Sequence, residues 1–146
     1  MIYTPLTIKA VNMAYQAHEG QFDKSGLPYI FHPYHLAEQM QDEYSVCAAV
    51  LHDVVEDTDI GIEIIEKEFP VEISQAVQLL THDPKTPYLE YIEGLKDNPI
   101  ARQIKLADLT HNMDETRSAG NETEPEEKRR KRMEKYIKAK EILLNK

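Results

Sequence analysis

Four side chains able to hold a metal or move a proton fall within nine residues of this chain: His52, Asp53, Glu56 and Asp57, in the stretch Leu51 to Asp59 (LHDVVEDTD). Read as a helix at about 100° per residue, the stretch puts His52 and Glu56 on one face and Asp53 and Asp57 on the neighbouring one, so that one small volume is within reach of all four. Three acids beside one imidazole repel one another and resist desolvation unless they bind an ion or stay open to water. A solvated acidic helix end would show the same letters. Here the preceding residues Val46, Cys47, Ala48, Ala49, Val50 and Leu51 are almost wholly apolar, which predicts a helix buried where the acids begin and favours a metal site.

One helix end offers too few ligands, and two further candidates stand elsewhere. His32 precedes Pro33, which can open a short helix, and Asp108 lies in the run Lys105 to Met113 (KLADLTHNM). Separate helices meeting at the centre of a bundle are a natural way to assemble such a site. The set His32, His52, Asp53 and Asp108 mixes imidazole with carboxylate, which suits Mn, Fe, Co or Zn better than Mg or Ca, and the absence of thiolates argues against a structural zinc. Taken singly, a histidine before a proline reads equally well as a structural residue.

The elements that must position these residues are all helical. Thr4 and Pro5 read as cap and first turn, with Leu6, Ala10, Met13 and Ala17 at helical spacing and Gly20 as the stop. A second helix opens at Pro33, and a third is expected from about Ser45 straight into the acidic cluster. Ile62, Ile65 and Phe69 after Thr58 and Asp59 caps, then Ile73, Val77 and Leu80, then Tyr88, Ile92 and Leu95, then Ile100, Ile104 and Ala107 mark the fourth to seventh. Alternation of the strand kind is scarce. The expected fold is all-α, a single-domain bundle of about eight helices over 1–146.

Composition narrows the function. With 26 acidic against 17 basic residues the formal charge is −9, which argues against general nucleic-acid binding. No apolar run of membrane-spanning or signal-peptide length is present, so no membrane partner and a cytoplasmic location are expected. The single cysteine, Cys47, reads as a small core residue. The segment from Ser118 to Pro125 is polar and turn-rich. Beyond it the basic run Lys128 to Arg132 could form an anion-binding arm. The preferred reading is a solvated face, because Glu124, Glu126 and Glu127 stand four residues before Lys128, Arg130 and Lys131. Met133, Ile137, Lys140 and Leu144 then mark the buried stripe of a closing helix. Oligomeric state, a homo-oligomer included, stays open.

Taken in order, His18-Glu19-Gly20-Gln21, Lys24-Ser25-Gly26, Pro28-Tyr29-Ile30, His32-Pro33, Leu51 through Thr58, Lys105-Leu106-Ala107-Asp108 and His111-Asn112-Met113 resemble the hydrolase domain of the RelA/SpoT family, over roughly two-thirds of the chain. No segment that could be the family's synthetase or regulatory domains follows, so the likeness is to the small alarmone hydrolases of the HD superfamily.

The resemblance implies Mn2+ held by His32, His52, Asp53 and Asp108, and a water served by Glu56 and Asp57. It implies hydrolysis of ppGpp or pppGpp at the ribose 3′ position, with release of pyrophosphate. Lys24, beside Ser25, would face substrate phosphates, and Asn112 would contact the nucleotide; from spacing alone Asn112 reads equally as a helix cap. His18 is a candidate pocket residue, with a helix-end hydrogen bond as its other reading. Two positions depart from the family pattern. Asp23 stands where the family has an Arg that packs on the guanine base, and Leu109-Thr110 replace Arg-Leu. An acid cannot make that stacked cation contact, so the expected substrates extend to other phosphorylated nucleotides such as NADPH, and Asp23→Arg is expected to improve KM. A non-catalytic nucleotide sensor is the remaining alternative, disfavoured because a sensor has no use for Glu56 and Asp57.

Overall fold

A computed structural model describes residues 1–118 and 123–145. Regular structure among them is helical apart from one isolated antiparallel bridge, Phe22 to Pro28. In chain order the helices are α1 (Pro5–Ala17), α2 (Phe31–Glu38), α3 (Glu43–Leu51), α4 (Val54–Asp57), α5 (Ile62–Glu68), α6 (Val71–Leu80), α7 (Tyr88–Leu95), α8 (Pro99–Asn112) and α9 (Glu126–Leu144), with a 3-10 turn at Glu115–Ser118. Within the turn-rich segment the sequence suggests, residues 119–122 lie outside the described residues.

The arrangement is built around α3. Its residues Ser45 to Leu51 are all buried, the mark of a helix apolar on every side that must be surrounded. It packs against α1, α2, α6 and α8. The small side chains Cys47, Ala48 and Ala49 let those neighbours approach closely. Asp42 starts the helix, its carboxylate accepting from the Ser45 backbone N–H at 2.9 Å. Cys47 is fully buried and burial pushes its thiol up to about 12, so it is an inert core group.

Two expectations are corrected. The third helix does not run into the acidic cluster: it ends at Leu51, His52 and Asp53 form a turn, and α4 begins at Val54. That break makes nine α-helices among the described residues where about eight were expected. In α9 the residues buried are Ala139 and Leu143, while Ile137 and Leu144 are exposed. The small Ala139 admits the neighbouring helices, and the seam runs through Tyr136, Ala139 and Leu143, one position away from the stripe of largest apolar residues.

Candidate active site

His32 enters the site from the first turn of α2, His52 and Asp53 from the turn between α3 and α4, Glu56 and Asp57 from α4, and Asp108 from the last turns of α8. The ligand atoms of His32, His52 and Asp53 lie within 4.8 Å of one another. Asp108 Oδ1 is 2.8 Å from His32 Nε2 and 3.6 Å from His52 Nε2. Asp53, Glu56 and Asp57 form a second group, also within 4.8 Å of one another. All six candidates therefore converge, although the helix expected to align four of them is interrupted. The turn performs that alignment instead.

His52 carries the test of whether these residues suit a cation. Its Nδ1–H donates to the Ala49 carbonyl at 2.6 Å, which leaves Nε2 as a lone pair in the neutral ring. Nε2 is buried and has no hydrogen-bond partner, yet Asp53 Oδ2 lies 3.0 Å away. A lone pair facing carboxylate oxygens is repulsive unless positive charge stands between them. Burial opposes protonation of His52, but Asp53 and Asp108 outweigh it and hold the pKa well above the ordinary imidazole value. A proton or a metal ion meets the same demand, and bonds of roughly 2.0–2.2 Å from imidazole and carboxylate to one ion require donor atoms this close together. The donor set fits a divalent transition metal.

The supporting groups are equally specific. Tyr29 donates to Asp53 Oδ2 at 2.5 Å, and Lys105 Nζ lies 2.9 Å from Asp108 Oδ2. Burial works against the Asp108 carboxylate, but Lys105 and the two histidines hold its pKa well below the usual range. His32 Nδ1 is 2.7 Å from His111 Nδ1, with the two rings nearly parallel. Desolvation, aided by Arg117 and His32, pulls His111 down to about 4. A neutral His111 can accept the Nδ1–H of His32 and leave Nε2 of His32 directed at the cluster.

Glu56 and Asp57 are exposed by area, but their carboxyls face a concave floor where protein replaces water. Desolvation there, helped by Asp53, raises both pKa values. The His82 backbone N–H donates to Glu56 Oε1 at 2.7 Å and fixes that carboxylate.

Glu56 and Asp57, with Tyr29, His32, Asp53, Lys105 and Asp108, line a cavity of about 350 Å³ whose wall also carries Asp23, Lys24, Ser25, Asn112, Arg117, Arg132 and Lys135. Lys24 and Ser25 are therefore at the cavity, as the resemblance implies. Asn112 is the last residue of α8; its Nδ2 donates to Asp108 Oδ1 at 3.2 Å and its Oδ1 accepts from Arg117 at 3.2 Å. His18 is not a lining residue: it is buried at the end of α1, with Nδ1 2.8 Å from Gln21 Oε1 and its ring 5.0 Å from that of Tyr29. Its helix-end reading matches this geometry. Lys135 has no reading in the sequence, and Arg132 reads there only as part of the basic run's solvated face. Arg132 forms a two-pronged pair with Glu124, and Lys135 lies over the Tyr88 ring at 4.6 Å. Only their place on the second and third turns of a helix lying across α7 and α8 brings them here.

An all-helical fold with a histidine and aspartate cluster where several helices meet defines a class, and the comparisons agree. The model of the HD domain family matches residues 10–90, and the chain belongs to that family. Among curated proteins it is 39% identical to a Synechocystis protein named probable guanosine-3′,5′-bis(diphosphate) 3′-pyrophosphohydrolase, over 74% of this chain and 16% of that one. It is 34% identical to a Streptomyces coelicolor protein named GTP pyrophosphokinase, over 89% of this chain and 17% of that one. The chain thus spans about a sixth of the length of these relatives. A solved structure of a metazoan ortholog of SpoT, described as hydrolysing ppGpp and playing a role in starvation responses, superposes with a TM-score of 0.84 at 25% identity, over 99% of this chain and 89% of that one. The recognition of a SpoT-type HD hydrolase domain and the all-α fold class both hold.

Proposed function

We propose that this protein is a metal-dependent phosphohydrolase that removes pyrophosphate from the ribose 3′ position of ppGpp or pppGpp. The observation that carries the reading is the partnerless, buried His52 Nε2 facing Asp53 and Asp108, with Glu56 and Asp57 beside it in a cavity that Lys24, Lys105, Arg117, Arg132 and Lys135 also line. The names of the Synechocystis relative and of the metazoan structure support the same substrate. His32, His52, Asp53 and Asp108 would hold Mn2+, which lowers the pKa of bound water and polarises phosphoryl oxygens.

The chain's own residues account for the remaining work. Glu56, fixed by the His82 amide, and Asp57 orient the attacking water and take its proton; a raised carboxyl pKa makes each a better base than an ordinary surface acid. Lys24 neutralises a phosphate as a point charge. One water adds across the bond between the 3′ oxygen and its phosphorus: hydroxide joins phosphorus, the proton ends on the 3′ oxygen, and GDP or GTP leaves with pyrophosphate. We place this activity in the cytoplasm and take 1–146 as one catalytic unit; no described helix is long and apolar enough to cross a membrane.

A nucleotide panel assayed with Mn2+ and resolved by chromatography tests the reading. The expected result is GDP and pyrophosphate from ppGpp, lost in His52→Ala and Asp53→Ala together with the metal. NADH and orthophosphate from NADPH, with no pyrophosphate from ppGpp, would replace the substrate; full activity after exhaustive chelation would remove the metal.

A further inference from the structure

Asp23 is one of the two departures from the pattern of the family the sequence resembles, and its surroundings show what it does. Oδ1 accepts the backbone N–H groups of Ser25 at 2.9 Å and Leu27 at 3.0 Å. The same loop is closed by Asp23 N–H to the Leu27 carbonyl at 2.8 Å and passes through Gly26 at φ +90°, a left-handed position that glycine takes without strain. Oδ2 points away from the loop, 3.8 Å from Nη2 of Arg117.

Arg117, on the 3-10 turn after α8, meets this loop from the opposite wall. Its Nη1 donates to the His111 carbonyl at 2.9 Å and to Asn112 Oδ1 at 3.2 Å, and its own carbonyl accepts from Ser25 Oγ. Asn112 in turn donates to Asp108 Oδ1 at 3.2 Å. One polar chain, Asp23 to Arg117 to Asn112 to Asp108, therefore runs from the loop that bears Lys24 and Ser25 to the metal-capable cluster. Both Asp23 and Arg117 line the cavity.

We propose that Arg117 is a positioning and specificity-determining residue: anchored by Asp23, it supplies a planar cation to this cavity wall and fixes Asn112 and the Lys24–Ser25 loop in the register that a nucleotide meets. The inference rests on the nucleotide reading of the cavity given above. A guanidinium spans three acceptors in one plane, which a lysine ammonium at the end of a flexible stem cannot reproduce. Arginine at position 23 would lose the acceptor for two loop amides and set like charge against Arg117. The same substitution that sequence likeness expects to improve KM is thus expected to worsen it.

The test compares Arg117→Ala, Arg117→Lys, Asp23→Asn, Asp23→Arg and the charge-exchanged D23R/R117D by steady-state kinetics with ppGpp and Mn2+, metal content, and hydrogen exchange of residues 23–29. Arg117→Ala, Arg117→Lys and Asp23→Arg are expected to raise KM about tenfold or more, the loss typical of a hydrogen bond to a charged group, with kcat within a few-fold and metal content unchanged. Asp23→Asn, which keeps the loop acceptor, is expected to raise KM less, and the double variant, which lacks both the loop acceptor at 23 and the donors at 117, to do no better than Arg117→Ala. Exchange in the loop is expected to quicken in Arg117→Ala. A lower KM in Asp23→Arg, or unchanged KM in Arg117→Lys, overturns the proposal. If the wild type turns over no nucleotide the functional reading fails, and the exchange arm alone decides this one: unchanged protection of 23–29 in Arg117→Ala, or in Arg117→Lys should the alanine variant not fold, overturns it.

Discussion

His52 and Asp53 announce themselves in the sequence because adjacent imidazole and carboxylate after an apolar run have few structural uses. His111 does not, although it holds His32 at 2.7 Å and stacks on His35 with centroids 4.1 Å apart. The signal is faint because its partner lies 79 residues away, and a histidine near a helix end reads as a capping group. Groups that orient a ligand commonly contribute 10- to 100-fold in metal affinity. His111→Ala is therefore expected to weaken metal binding by about that factor, measured by competition with a chromophoric chelator, and His111→Asn, which can still accept from His32, to recover part of it; equal affinity in all three proteins would assign His111 to packing. The chemistry is expected to separate from binding at α4. Glu56→Gln and Asp57→Asn preserve shape but remove the base, so turnover should fall by roughly 10² or more with metal content intact, and wild-type rates in both would reduce the pair to a solvated helix end.

The elements were legible wherever one apolar face repeats. Ile73, Val77 and Leu80 in α6 and Ile92 and Leu95 in α7 are buried as their spacing predicts. The break at His52 and Asp53 was not legible, because no glycine or proline marks it and the α-like residues Val54 to Asp57 continue the pattern. The break is made locally by a side chain: His52 turns its Nδ1–H onto the Ala49 carbonyl of the preceding turn, and Asp53, at φ −103° and ψ 0°, redirects the chain. The start of α3 fixes where that turn falls. Asp42 accepts from both the N–H and the hydroxyl of Ser45 at 2.9 Å. Asp42→Ala is expected to lower stability by about 1 kcal/mol, as the loss of an N-cap does, read as a lower urea midpoint at unchanged slope. A larger loss accompanied by loss of metal would mean that the cap also sets the geometry of the His52 turn.

At the scale of the whole molecule, a chain of net charge −9 is proposed to admit a polyanion, and the fold brings five cations to the cavity beside its carboxylates. Lys24, Lys105, Arg117 and the α9 pair Arg132 and Lys135 come from four separate stretches and line one cavity. The sequence reading of the basic run holds for Glu127 and Lys131 at 3.9 Å, while Arg130 meets Glu127 at 3.0 Å rather than Glu126, and Glu124 turns to Arg132 rather than Lys128. It does not extend to Arg132 and Lys135, since membership of the cavity depends on α9 lying across α7 and α8, a non-local fact that no spacing encodes. Lys105, Arg117 and Arg132 each face a carboxylate partner. Lys135 stands instead over the rings of Tyr88 and Tyr136, where desolvation and the neighbouring cations lower its pKa. A cation whose charge is opposed by its surroundings gains from an arriving phosphate more than one already paired. Its pull on a substrate outside the cavity is subject to screening, with a Debye length of about 10 Å at 0.1 M salt. Raising salt from roughly 50 to roughly 200 mM is therefore expected to raise KM for ppGpp several-fold with little change in kcat, and Lys135→Gln to raise KM at low salt and flatten its dependence on ionic strength. A slope in Lys135→Gln equal to that of the wild type would show that the attraction comes from the paired cations, and a KM indifferent to salt in both would show that the cavity does not recruit its substrate by charge.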